Sequence, residues 1–342
     1  MRGHDERSRR IVDGADAGAR LRPIAIRKTV LLWNDEPGPY LAAAEAAGLQ
    51  RDFEFVTAPF PGEPEEATLA RADVLLAWRP PKGLATRGRR LAWVQSLTGG
   101  MDQWLASPDV PPALTLTCAR GTHRLQMPEH ILGALFLITK QFVPIVLDQR
   151  ERKWSRRVNP TLAGMTLGIL GLGAIGAEVA RKAAALDVRV IGTKRDGAKV
   201  AGVERVYGPD GTDAVLGEAD FVLLLLPATT ETRDLMNRAR LARMKSSAWL
   251  LNFGRGDLVV DDDLVAAVTA KTIAGAVLDV FRKEPLPPEH PFWTTQGIVV
   301  LPHVGGLHPT RDRFVAELFV DNLKRFAAGQ PLREVVDRAR GY

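Results

Sequence analysis

The chain has 342 residues, 46% hydrophobic and 25% charged, a balance that belongs to a folded globular protein and excludes disorder along its whole length. That length is enough for two domains, each burying its own core. The formal charge is +6, but residues 1–28 hold eight Arg and Lys against four Asp and Glu, so +4 of it is local; the small remainder, spread with mixed sign, argues against a nucleic-acid-binding face.

Cys118 is the single cysteine, which excludes an intrachain disulfide and fits a reducing compartment. No apolar run reaches the roughly 18 residues of a membrane span, and the Arg-rich start lacks the apolar core of a signal peptide. The sequence reads as a cytoplasmic protein with a disordered basic tail over residues 1–28, and with neither nucleic acid nor membrane as a partner.

Order begins at Thr29. "TVLLW" reads as a strand, "PYLAAAEAAG" as a helix closed by Gly48, and "ADVLLAW" as a buried strand. "LAWVQSLTGG" is a strand ending in Thr98, Gly99 and Gly100. "ALTLTC" is another, and "MPEHILGALFLITKQF" is a helix whose Pro128 suits the first turn. A second alternation follows from Thr166: "TLGIL", "VRVIG", "DFVLLLL", "AWLLNF", "IAGAVLD" and "IVVL" are short apolar runs separated by helical segments such as "AEVARKAAAL" and "DDDLVAAVTA". Continuous rather than alternating hydrophobicity implies strands covered on both faces, hence parallel sheets flanked by helices. The amphipathic "RDRFVAELFVDNLKRFAAG" comes after that sheet is complete and is expected to return to the first unit. The expected plan is α/β with two domains, residues 29–122 with 306–342 forming one and residues 123–305 inserted as the other. Hinges fall near 120–128 and 304–309, and the cleft between the domains is the candidate site.

"GILGLGAIGAEVA" places Gly171, Gly173 and Gly176 as a GxGxxG between a strand and a helix, with Ala174 and Ile175 opening the helix. The first glycine suits a tight turn, the second lets a pyrophosphate approach the backbone, and the third allows helix to pack on strand. The inserted domain is therefore read as a Rossmann-like dinucleotide binder, with the phosphate at the positive helix end. In such a site the next strand usually ends in an acid that bonds the ribose 2′-hydroxyl. Here "VIGTKRDG" supplies Thr193, Lys194 and Arg195 first. A carboxylate would repel a 2′-phosphate and two cations attract one, so NADP(H) is expected over NAD(H).

From Thr29 to Gly329 the chain resembles the D-isomer-specific 2-hydroxyacid dehydrogenases, and within them the glyoxylate and hydroxypyruvate reductase branch. The motifs that carry the resemblance are "TLGILGLGAIG", "LLLLPATTETRDLMN", "MKSSAWLLNFGRGDLVVDDDL", "AVLDVFRKEPLPPEHPFW" and "VVLPHVGG". The resemblance implies that Arg255 holds the substrate carboxylate and keto oxygen, that His303 is the acid–base and that Glu284 is its acidic partner. It implies that Asp279 engages the nicotinamide carboxamide and that Leu226, Pro227, Thr232 and Gly254, with Arg255 and His303, line the cofactor. Thr98, Gly99 and Gly100 resemble the turn whose N–H groups grip the substrate. It also implies a homodimer formed through the cofactor domain, with Trp154 lying in the segment that reaches a partner's cleft.

The residue types suit the chemistry independently. Reducing a 2-keto acid needs a proton for the carbonyl oxygen near neutral pH, which a histidine provides, and an adjacent carboxylate stabilises the imidazolium. Arginine offers a planar fork to a carboxylate. Taken singly, each of these residues would read as an ordinary surface or structural group; all three fall at C-terminal ends of inferred parallel strands, where ligands bind in such sheets. His123, His130, His290 and His308 show no ligand spacing, and no metal is assigned. A formate dehydrogenase reading is disfavoured because that branch carries Gln where this chain has Glu284. A nucleotide-sensing, corepressor-like binding protein of the same family is the alternative to an enzyme. Loops near Trp78, Thr98 and Trp293 are expected to shape the pocket around the substrate's C3 group.

Overall fold

The computed structural model describes residues 27–341. The expected basic tail therefore lies, as far as residue 26, outside the described residues, and the first strand starts at Lys28. Five strands form the first sheet: β1 (Lys28–Trp33), β2 (Phe53–Ala58), β3 (Val74–Ala77), β4 (Trp93–Ser96) and β5 (Thr115–Thr117). All are parallel, in the order β2-β1-β3-β4-β5.

Seven more strands form the second sheet: β6 (Thr166–Leu170), β7 (Arg189–Thr193), β8 (Arg205–Tyr207), β9 (Phe221–Leu224), β10 (Trp249–Asn252), β11 (Gly275–Leu278) and β12 (Ile298–Val300). They too are parallel, in the order β12-β11-β10-β9-β6-β7-β8. The order reverses between β6 and β9, so the chain ends there diverge and leave a crevice for a ligand.

The burial pattern explains the continuous apolar runs. Along β6, Leu167 and Ile169 join one hydrophobic cluster and Leu170 the other; along β9, Phe221 and Leu223 go one way, Val222 and Leu224 the other. The first sheet divides in the same manner, Val30 and Leu32 facing one cluster and Leu31 and Trp33 the opposite one. Both faces of every central strand are thus covered, and helices supply the cover. Two strands escaped the sequence reading, β2 and β8. Both are edge strands, only partly buried and interrupted by polar residues such as Glu54, Thr57 and Arg205. An edge strand does not need a continuous apolar run.

Two helices show how the lobes are stitched together. The Gln126–Thr139 helix buries Ile131, Ala134 and Leu135 in the cluster that holds Leu167 of the second sheet and Val179 of the Ala174–Ala184 helix beside it. The Arg311–Ala327 helix buries Val315, Phe319 and Leu323 in the cluster that holds Val30 of the first sheet and Tyr40 and Ala44 of the Gly38–Ala46 helix. After it, Val335 bridges antiparallel to Thr117, and the Val336 N–H donates to the Leu116 carbonyl at 2.9 Å. No single described helix is long and apolar enough to cross a membrane.

Candidate active site

The glycines of the turn after β6 are demanded for different reasons. Gly171 has φ +111°, and a side chain there would meet the Leu225 carbonyl at 2.9 Å. Gly176 lies so near the Gly171 carbonyl oxygen that a Cβ would sit 2.4 Å from it, which locks helix to strand. Gly173 has nothing within 4 Å of its would-be Cβ, and it stands at the start of the Ala174–Ala184 helix, which has no side-chain cap. Open space in front of uncapped N–H groups fits a pyrophosphate. Ala174 and Ile175 are the first two residues of that helix.

At the end of β7, Thr193 is buried and its carbonyl accepts the Leu172 N–H at 2.9 Å. Lys194 is already paired within the loop: its Nζ contacts both Asp196 oxygens, at 2.5 and 2.6 Å. Arg195 is exposed. The loop after β9 is held by Thr232, whose hydroxyl donates to the Pro227 carbonyl at 2.7 Å and accepts the Thr229 N–H at 2.8 Å. A Cβ on Gly254 would lie 2.8 Å from the Leu226 oxygen, so the loops after β9 and β10 touch backbone to backbone.

Arg255 follows β10. Asn252, 1% exposed, fixes its backbone: Asn252 Nδ2 donates to the Arg255 carbonyl at 2.9 Å, and Oδ1 accepts the Gly254 N–H at 3.1 Å. The guanidinium reaches into the other lobe. Its Nε donates to Asp102 Oδ2 at 2.9 Å and its Nη1 to the Gly254 carbonyl at 2.7 Å. The remaining Nη2 passes so close to Gly100 that a Cβ there would lie 1.6 Å away. Gly100 is held in turn by Thr98, whose hydroxyl donates to the Gly100 carbonyl at 2.6 Å and lies 3.1 Å from Ser96 Oγ. Gly99 adjoins this contact, 3.9 Å from the Ala119 oxygen by the same measure. The structure therefore brings Thr98, Gly99, Gly100 and Arg255 together from separate lobes.

His303 follows β12 with φ +52°, a left-handed conformation that is strained for a residue with a Cβ. Asp279 supports it: this buried carboxylate accepts the Val304 and Gly305 N–H groups, each at 2.9 Å. Burial raises the Asp279 carboxyl above the ordinary carboxylate value despite those two bonds. The His303 ring is half exposed, and its Nδ1 lies 2.6 Å from Glu284 Oε2. The second Glu284 oxygen accepts the Phe281 N–H at 2.9 Å. A carboxylate can only accept, so Nδ1 carries the hydrogen and Nε2 faces outward. Paired with a carboxylate on one side and half exposed on the other, the ring is a group able to pass a proton.

Three supporting residues had no assigned role in the sequence: Asp102, Asn252 and Ser96. The histidine pair His123 and His308 sits at the lobe crossovers with ring centroids 6.0 Å apart. Trp78 Nε1 donates to Asp35, Trp293 Nε1 to the Pro287 carbonyl, His130 stacks edge-on with Phe253, and His290 contacts Asp261. Trp154 is 94% exposed.

Residues 132–305 match the family described as D-isomer specific 2-hydroxyacid dehydrogenase, NAD binding domain. The chain is 33% identical over 279 residues to glyoxylate/hydroxypyruvate reductase A of Serratia proteamaculans (strain 568), covering 79% of this chain and 88% of that protein. Among solved structures, it superposes on a D-isomer specific 2-hydroxyacid dehydrogenase family protein from Aeromonas salmonicida subsp. salmonicida A449 with a TM-score of 0.84 and 31% identity, covering 91% and 99% of the two chains. It matches the NADPH-dependent glyoxylate/hydroxypyruvate reductase of Sinorhizobium meliloti, solved with NADP and sulfate, with a TM-score of 0.82 and 31% identity over 92% and 100%. The protein belongs to the D-isomer specific 2-hydroxyacid dehydrogenases, nicotinamide-dependent oxidoreductases built on two parallel-sheet α/β domains.

Proposed function

We propose that the protein reduces glyoxylate, hydroxypyruvate or a close 2-keto acid to the D-2-hydroxy acid, with NADPH preferred over NADH. One observation carries the reading: the His303–Glu284 pair stands at the end of the cofactor sheet, and Arg255 of the same sheet spans the cleft to Asp102 and Gly100. The substrate carboxylate takes the Nη2 side of Arg255 together with N–H groups of the Thr98–Gly100 turn. When bound, the reduced nicotinamide supplies the hydride that adds to C2. As the carbonyl π pair withdraws onto oxygen, His303 Nε2 gives that oxygen its proton, and the half-exposed ring recovers one from solvent. Arg255 polarises the same carbonyl as charge develops there. The N–H groups before Ala174 bind the pyrophosphate, and the loops at Leu226, Pro227, Thr232 and Gly254 line the rest of the cofactor.

The NADPH preference is supported by the cations at the end of β7 and by the NADP held in the Sinorhizobium meliloti relative. The Lys194–Asp196 pair does not oppose it: an exposed ion pair is weak and readily exchanged, and a 2′-phosphate offers more charge than one carboxylate. Replacing Lys194 and Arg195 with alanine should raise KM for NADPH far more than KM for NADH. An equal rise for both would remove the pair from 2′-phosphate recognition, and failure of the wild type to oxidise NADPH with any of a panel of 2-keto acids would overturn the enzymatic reading.

The same proposal assigns residues 29–122 with 306–342 to the substrate domain and 123–305 to the cofactor domain, in a cytoplasmic homodimer. Phe142, Val146 and Leu147 of the Phe142–Arg150 helix are about half exposed, and Trp154 and Val158 beyond it are almost fully so. An apolar surface of this kind on the cofactor domain suits burial against a second copy.

A further inference from the structure

Beside the end of β7, a cavity of about 260 Å³ separates Arg195 from the loop after β9. Its far wall belongs to neither: it is the segment Arg338–Gly341, near the chain end. That segment is anchored to the first sheet. Val336 is bonded to Leu116, and Arg338 Nη2 donates to the carbonyls of Pro111 at 2.9 Å and Leu114 at 2.8 Å. At its tip, a Cβ on Gly341 would stand 3.8 Å from the Thr229 methyl group, ordinary contact across the two lobes.

The lining is strongly cationic. Three arginines, Arg195, Arg338 and Arg340, line it together with Thr229 and Thr230. The one carboxylate in the lining, Glu231, is bonded to the Thr229 hydroxyl at 2.7 Å. The Thr229 hydroxyl chiefly, and more weakly the Arg195 charge, hold it below the ordinary carboxylate range. A second carboxylate, Asp337, pairs with Arg340 Nε at 3.1 Å. The cavity is smaller than the roughly 300–1,000 Å³ of a complete small-molecule site, so it suits one end of a dinucleotide. Its Arg195 directly follows Thr193 and Lys194 at the end of β7, where the ribose of that dinucleotide would end.

We propose that this cavity takes the 2′-phosphorylated adenosine end of NADP(H), and that Arg340 binds the 2′-phosphate from the substrate lobe while Arg195 binds it from the cofactor lobe. The inference rests on the NADPH reading above and deepens it. A phosphate presents several strong acceptor oxygens and two negative charges, which suit a pair of guanidinium forks approaching from opposite sides. NADP(H) then ties the two lobes together at the adenosine end, remote from the catalytic cleft. NAD(H), carrying a neutral 2′-hydroxyl, does not. The C-terminal segment becomes a specificity element for the cofactor.

The test compares Arg340→Ala with Arg195→Ala and with a charge-preserving Arg340→Lys. The ratio of kcat/KM for NADPH to that for NADH should fall about tenfold in Arg340→Ala, through KM for NADPH, and should be largely recovered in Arg340→Lys. In parallel, amide hydrogen exchange over residues 336–341 is followed with adenosine 2′,5′-bisphosphate and with adenosine 5′-monophosphate, which differ only by the 2′-phosphate. Protection by the bisphosphate alone supports the assignment. Equal protection by both, or by neither, overturns it. If Arg195→Ala loses cofactor discrimination while Arg340→Ala keeps it, the contribution of the C-terminal segment is refuted and the NADPH reading stands. If the wild type shows no preference, the NADPH reading itself fails.

Discussion

Replacing Glu284 with glutamine probes the proton-handling pair without changing its size. Glu284 uses both oxygens, accepting the Phe281 N–H at 2.9 Å with one and facing His303 Nδ1 at 2.6 Å with the other. Glutamine has a single acceptor oxygen, so one of those two donors loses its partner. If the amide nitrogen turns toward His303, it donates to Nδ1 and drives the ring into the opposite tautomer, with the hydrogen on Nε2 and no charge partner for the imidazolium. If it turns toward Phe281, a donor meets a donor on the backbone. Either orientation weakens the acid, and positioned acid–base catalysis contributes about 10²–10⁴ in rate. The expected outcome for Glu284→Gln is a fall in kcat of about 10²–10³ with KM for NADPH within about twofold of wild type. Steady-state NADPH oxidation with hydroxypyruvate measures the first, and NADPH fluorescence titration checks the second. A kcat within a factor of two of wild type would refute the role given to the pair.

Asp102→Ala frees Arg255 Nε; because the pair is 33% and 49% exposed, the expected rise in keto-acid KM is about fivefold at most, with kcat nearly unchanged, read from saturation curves. Gly176→Ala sets a methyl 2.4 Å from the Gly171 carbonyl, a backbone atom that cannot swing aside. It should cost about 1–3 kcal/mol of stability and weaken cofactor binding, seen as a lowered Tm and a raised Kd for NADP. Burial, then the nearby His308 and Arg311 charges, lowers His123 from 6.5 to about 4. The unfolded chain therefore binds more protons between these values, and stability is full above pH 6.5 and lost as pH falls toward 4. At about 1.4 kcal/mol per unit, the loss from this ring is at most about 3–4 kcal/mol, and His123→Gln should flatten the dependence of Tm on pH over that window.

Much of the fold was legible because its central strands are buried on both faces, and such strands announce themselves as unbroken apolar runs. β2 and β8 did not, since an edge strand tolerates Glu54 or Arg205. The glycine turn was legible for a similar reason: Gly171 and Gly176 answer steric demands that no other residue meets, and the spacing of those demands is local. Side chains that act across long separations left no such trace. Asp102 meets Arg255 from 153 positions away, and nothing in "TGGMD" distinguishes that aspartate from an exposed helix-opening residue. Asp279, expected as a cofactor contact, has a further task in the structure: it holds the Val304 and Gly305 backbone directly after His303 in its left-handed conformation. Lys194 and Arg195 are legible as two cations, but the closing of Asp196 on Lys194 is not, because a sequence does not say which way a short loop folds its own charges.

His303→Ala tests most sharply whether His303 delivers the proton in an NADPH-dependent reduction. NADPH oxidation with glyoxylate and hydroxypyruvate is measured alongside NADPH binding in the same preparation. Turnover should be lost while NADPH still binds, because the ring is half exposed and the phosphate-binding turn follows another strand. Turnover at the wild-type rate would contradict it.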